Sequence, residues 1–319
     1  LLNISAHAKT LAKQHNLEIE TMKTKKAFKT VKEKQIEIAN SVIAQMQTAG
    51  TGWLKSWQGM AGTSPTSMST GKTYNGINWL ILNMERSAKG FSSHHWATYN
   101  QWKKLGYHVQ RGNKSTDICL YKKIIVEDKI TGDEKAIPML KFFSVFNGDQ
   151  VQDDNGQAYQ SEPQPELIFH PTLADIFAYD CGAVVQHNDL NRAFYAPDPD
   201  YINMPTVGQF ESPEAYQATL MHELTHWTGN KTRLDRFYKN ADQSKDYALE
   251  ELVAELGAAM LCGSLGISAE PRADHAKYLN GWIKRLKDDP GAIFKAAAAA
   301  SKATDYLMDI AQEYNQRAA

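Results

Sequence analysis

The chain has 319 residues, 42% hydrophobic and 22% charged, enough to bury a sizeable core and unlike a low-complexity or disordered polymer. Its net charge of −1 conceals a split: residues 1–150 hold 21 Lys+Arg against 11 Asp+Glu, a balance of +10, and residues 151–319 hold 14 against 25, a balance of −11. Three scattered cysteines without a C-x-x-C pair, no apolar run of about 18 residues and no signal-peptide core point to a cytoplasmic protein, and exclude a disulfide framework, a Cys-based zinc site and a membrane partner.

Residues 1–22 are weakly patterned and read as a helical extension or a loose arm. Residues 28–48 read as an amphipathic helix, with Val31, Ile36, Ile38, Val42, Ile43 and Met46 on its apolar stripe. Residues 50–69, rich in Gly, Ser and Thr, form an irregular loop carrying Trp53 and Trp57. Short helices are predicted over 79–87 and 96–105, then strands over 107–110, 118–125 and 141–146. Helices followed by a meander make an α+β order. The polar stretch 150–165, with two prolines, reads as a linker, giving domains at 24–150 and 166–319 with 151–165 between them. A helix over 171–180 and strands over 183–186, 192–195 and 200–205 come next. Helical segments follow over 247–261, 273–287 and 292–314. The run Ala296–Ala300 is read simply as a good helix former.

The basic half mixes aromatic rings with cations, as a single-stranded nucleic-acid site requires: cations track phosphates and ring faces stack bases. The candidate contacts are Lys72, Tyr74, Asn78, Trp96, Tyr99, Lys103, Lys104, Arg111 and Lys114. Trp79 and Trp102 lie in apolar helical patterns and read as core. The acidic half suits a domain that must not bind a polyanion.

His222-Glu223-Leu224-Thr225-His226 is an H-E-x-x-H. On a helix, residues four apart share a face, so both imidazoles can address one ion while Glu223 serves as general base. Ala218, Leu220, Met221, Leu224 and Trp227 make this helix apolar on several sides, and buried histidines need partners. Gly229 is read as its stop signal. In the next helix Glu251 and Glu255 share a face in an apolar, Ala-rich setting, where carboxylates need a cation. Glu251 is assigned as third ligand and Glu255 as hydrogen-bond partner of a ligating histidine. Glu250 competes for the ligand role, although a solvated face suits it better. Zinc is the expected ion, with manganese or another divalent metal as alternatives.

The helix pair resembles the gluzincin metallopeptidases, which take a third ligand from a Glu on a following helix. The ordered set YNGIN (74–78), WATYNQWKKLG (96–106), V-x-R-G-x-K (109–114), DYINMP (200–205), HELTHWTG (222–229) and EELVAELGAAML (250–261) resembles ArdC-type antirestriction proteins of conjugative plasmids and phages. The resemblance covers about 32–314. It departs from the family in the loop GTGWLKSWQG, which lacks the Pro-Trp pair often found there. It implies an N-terminal single-stranded-DNA-binding domain followed by a mainly helical zincin-like metallopeptidase domain with a small sheet. In zincins a strand near 200–205 lines the cleft and can pair with an extended peptide. The implied function is protection of incoming DNA from host restriction by binding single-stranded DNA. The alternative is a peptidase that cleaves a host protein, with the basic half only recruiting it to DNA. A pure DNA shield with a vestigial metal site is disfavoured, because Glu223 is retained.

Overall fold

The computed structural model describes residues 29–50, 53, 63–127, 134–161, 170, 172–188, 190–237, 243–267 and 275–318. Expectations for residues 1–22, Trp57 and the rest of the 54–62 loop, and for 162–165, lie outside these residues. The chain divides into Leu1–Gln35 and a second compact unit, Ile36–Ala319. In the first, Thr30 and Glu33 exchange hydrogen bonds (Thr30 N to Glu33 Oε2 2.7 Å, Glu33 N to Thr30 Oγ1 3.2 Å), a reciprocal cap that starts helix α1 (Val31–Ala49).

In the second unit α1 buries Ala39, Val42, Ile43 and Met46 at four-residue spacing. Helix α2 (Gly76–Lys89) ends at Gly90, whose φ of 66° lets its N–H return to the Arg86 and Ser87 carbonyls. A four-stranded sheet follows in the order β1 (Thr66–Ser67), β2 (His95–Thr98), β5 (Glu134–Asn147), β4 (Thr116–Glu127). The predicted helix over 96–105 is a strand at its start and only then a helix, α3 (Tyr99–Lys104). The reason is local. Thr98 and Gln101 form a capping box, so Trp96 and Ala97 lie outside the helix and pair with Asn147 and Phe146.

The predicted linker is also corrected. After a 3-10 turn, β6 (Val151–Gln152) pairs with β3 (His108–Val109), and Tyr159 packs on Trp102 and Tyr107 at ring separations of 5.1 and 5.3 Å. Residues 150–161 thus belong to the basic half.

The acidic half starts with helix α4 (Leu173–Asp180) and a three-stranded sheet in the order β7 (Val185–Asn188), β9 (Tyr201–Pro205), β8 (Phe194–Ala196). β9 is the central strand, parallel to β7 and antiparallel to β8, so it is not a free edge for an extended peptide. Then come α5 (Pro213–Trp227), α6 (Gln243–Leu265), α7 (His275–Asp288) and α8 (Ala292–Ala318).

The molecule is an α+β protein of two regions, with sheets in the first and a mostly helical second region carrying a small sheet. The two regions share one core. Ala39, Val42, Met46, Trp53, Trp79 and Leu80 cluster with Leu252, Leu256, Met260, Trp282, Ala296, Ala297 and Ala300. The alanine run therefore does more than favour helix: it lets α2 approach α8 until the Gly76 N–H reaches Ser301 Oγ at 2.6 Å. Among the described residues no helix is long and apolar enough to cross a membrane.

Candidate metal centre

Helix α5 starts at Ser212, whose hydroxyl accepts the Ala215 N–H at 3.0 Å, with Pro213 in the first turn. It runs through apolar surroundings that bury His222 and Glu223 to 2% and 3% exposure. It stops after Trp227, but Gly229 is not there for a left-handed backbone. A Cβ on Gly229 would fall 2.8 Å from the Phe237 ring. The following turn is tied back to the sheet by Arg233, which stacks 3.7 Å above the Trp227 ring and pairs with Asp200 (Nη1 to Oδ2, 3.0 Å).

Helix α6 crosses α5 at Gly257. A Cβ there would meet Thr225 Cγ2 at 2.5 Å and Oγ1 at 2.7 Å, so only glycine permits this approach. The contact brings Glu251 to the histidines. His222 Nε2 and His226 Nε2 are 3.1 Å apart, and the Glu251 oxygens lie 3.7 and 3.6 Å from them. One donor atom from each of the three residues fits within a 4.8 Å cluster. With metal–ligand bonds of about 2 Å, these separations subtend about 100° and 130°, which suits one small four- or five-coordinate ion.

The other ring nitrogens face carboxylates. His226 Nδ1 lies 3.2 Å from Glu250 Oε1, within hydrogen-bond geometry. His222 Nδ1 lies 3.0 Å from Glu255 Oε1 without hydrogen-bond alignment, so that contact is electrostatic. Protons on both Nδ1 atoms leave two Nε2 lone pairs pointing at each other, and only a cation between them relieves the repulsion. Burial opposes charging of His226, but the Glu250 hydrogen bond and the charges of Glu250, Glu223 and Glu251 outweigh it and raise its pKa. Either a proton or a metal ion can therefore meet the need, and the donor set fits a divalent metal.

The structure corrects the reading of Glu250 and adds a role for Tyr247. Glu250 is no solvated residue. It is 7% exposed, and Arg236 forks onto it (Nε to Oε2 and Nη2 to Oε1, both 2.8 Å). Burial works against its charge, yet Arg236 and His226 hold its pKa below the ordinary value. Tyr247, one turn before Glu251, meets the Tyr278 hydroxyl at 3.1 Å, and burial with hydrogen bonds to Tyr278 and Glu251 raises its pKa.

Gly257→Ala is expected to cost about 1–3 kcal/mol of stability by overpacking and to weaken metal binding at least tenfold, although it touches no ligand. Thr225→Ala in the same chain should restore much of both. Thermal melts and metal titration of the two variants check this; unchanged binding in Gly257→Ala would separate the helix contact from the site.

The nucleic-acid candidates divide. Tyr99 is half-exposed, and Lys72, Lys103, Lys104, Arg111 and Lys114 are exposed. Trp96 is wholly buried with Leu82, Ile118 and Val145, a core residue and not a stacking platform. Asn78 is committed to the Cys119 backbone, donating to its carbonyl at 2.7 Å and accepting its N–H at 2.8 Å, where it closes the edge of β4. Tyr74 is half-buried against the Trp96 cluster, and burial raises its pKa.

Residues 32–146 match the model of the N-terminal domain of anti-restriction factor ArdC, and residues 172–299 match a zincin-like metallopeptidase model. The chain is 35% identical over 305 residues to an Escherichia coli protein named DNA primase TraC, covering 88% of this chain and 27% of that one. It thus spans about a quarter of that relative's length. A Sinorhizobium fredii protein, y4eC, is 32% identical over 279 residues, which is 85% of this chain and 90% of its own. The metal-free crystal structure of the antirestriction ArdC protein from plasmid R388 is 39% identical, with a TM-score of 0.75 over 88% of this chain and 98% of that one. A second structure of that protein is Mn(II)-bound, with a TM-score of 0.72 and coverage of 87% and 97%. With nearly the whole of that protein matched, and with both domain models falling on the two regions of the fold, the chain belongs to the ArdC family of antirestriction proteins.

Proposed function

We propose that the protein coats single-stranded DNA through its basic half, shielding incoming plasmid or phage DNA from host restriction. The observation that supports this reading is the set of exposed cations and Tyr99 within 99–114. Tyr99 and Lys103 lie four apart on one face of α3, and Lys104, Arg111 and Lys114 extend the charge beyond it. In the same reading the acidic half holds a zinc or manganese ion on His222, His226 and Glu251. A divalent ion there supplies Lewis-acid activation of water. Glu223, next to His222 in the motif, would accept a proton from that water.

A second reading, a peptidase acting on a host protein, is favoured by Glu223 itself. It is buried at 3% exposure and its charge acts on His226, a carboxylate that metal retention alone does not require.

The test is binding of the full chain to single-stranded and duplex DNA across a salt series. Single-stranded DNA should bind more tightly and with little sequence preference. Changing Lys103, Lys104, Arg111 and Lys114 together to Gln should flatten the log–log salt slope by about 3, since each phosphate contact on a single strand contributes about 0.7. An unchanged slope would move the DNA contacts elsewhere, and tight binding to duplex alone would overturn the reading.

A further inference from the structure

Arg236 stands fourteen residues before Glu250, outside both ligand-bearing helices, yet it contacts both. It is 9% exposed, and four of its five guanidinium N–H groups are engaged. Nε and Nη2 grip the two Glu250 oxygens at 2.8 Å each. Nη2 also donates to the Thr225 carbonyl at 2.7 Å, and Nη1 donates to Thr228 Oγ1 at 2.9 Å. Thr225 lies inside H-E-x-x-H, and its carbonyl belongs to the last turn of α5, where helix carbonyls lack intrahelical donors. Glu250 adjoins the ligand Glu251. One planar fork therefore joins the end of the histidine helix to the start of the glutamate face.

We propose that Arg236 is a positioning residue for the metal centre. It locks Glu250 so that this carboxylate accepts the His226 Nδ1–H and aims Nε2 at the ion. The proposal rests on His222, His226 and Glu251 being the ligands. A carboxylate free to rotate would not fix the ring, and a lysine in place of Arg236 would keep the charge but lose the two-point grip. The hydrogen bonds of Arg236 go to Glu250, Thr225 and Thr228 and not to Glu255, which faces His222 Nδ1, so the two histidines should respond differently to loss of the arginine.

The experiment uses the full chain and three variants: Arg236→Lys, Arg236→Gln and Glu250→Gln. Zinc and manganese affinities are measured by competition with a chelator, and the imidazole tautomers of the metal-free proteins are read from nitrogen chemical shifts. Glu250→Gln and Arg236→Gln should lose about 10- to 100-fold in affinity. Arg236→Lys should lose less. The His226 nitrogen shifts should change in Arg236→Gln and Glu250→Gln while those of His222 stay unchanged. Thermal melts show which variants remain folded; if Arg236→Gln does not fold, Glu250→Gln and Arg236→Lys carry the test. Wild-type affinity and unchanged His226 nitrogen shifts in folded Glu250→Gln would overturn the proposal while leaving the ligand assignment intact. Absence of metal binding by the wild-type chain would instead overturn the ligand assignment.

Discussion

Two separately expressed pieces, 24–150 and 151–319, should each fail to fold. The cut leaves every described helix intact but divides the shared core. Trp53 would lose the edge contact it makes with Trp282 at a ring separation of 6.3 Å, and Trp79 and Leu80 would lose their place in the cluster with Leu252, Leu256 and Met260. A fully buried large apolar side chain contributes about 1.5–3 kcal/mol, so exposing half a dozen costs about 10 kcal/mol or more. A native domain has only about 5–15 kcal/mol in total. Cutting at 150 also strips β3 of β6. Circular dichroism and thermal melts of each piece check this, with the pieces expected to recover a cooperative transition only when co-expressed. A cooperative melt from 24–150 alone would show that the basic half carries its own core. For the same reason DNA binding has to be tested by substitution in the whole chain and not by dissection.

The metal centre was legible in the sequence because its geometry is periodic. The four-residue spacings of His222 with His226, and of Glu251 with Glu255, place each pair on one helix face whatever the tertiary context. Glu250 was misread because its role depends on Arg236, which belongs to neither helix and follows a turn that no periodicity describes. Trp96 looked like a stacking platform because composition does not distinguish an aromatic in a strand core from one on a surface. The Thr98–Gln101 capping box, present in the sequence, would have put it outside the helix. The apolar stripes of α1 and α2 were visible, but not what they pack against. A polar stretch with two prolines resembled a linker even though Val151 and Tyr159 anchor its first part. Gly257 carries no pattern at all, because its importance comes from Thr225, thirty-two positions earlier and visible only once the helices cross.

Protection of an unmodified plasmid during transfer into a restricting host should survive Glu223→Gln and fail when Lys103, Lys104, Arg111 and Lys114 are neutralised together. Coating draws on phosphate contacts, each releasing counterions, and needs no hydrolysis. Glu223→Gln removes a proton acceptor without removing a ligand, so metal content should stay stoichiometric while any peptide hydrolysis drops by about 10² or more. His222→Ala and His226→Ala should instead abolish metal binding, because each takes away one of the three donors found among the described residues. The measurement is transfer efficiency into restricting and non-restricting recipients, with fold and DNA affinity checked for every variant. If Glu223→Gln loses protection while binding DNA normally, the buried carboxylate is the working group. The basic surface then serves only to bring a peptidase to the entering strand, where the charges on 99–114 would set its location and Glu223 its effect.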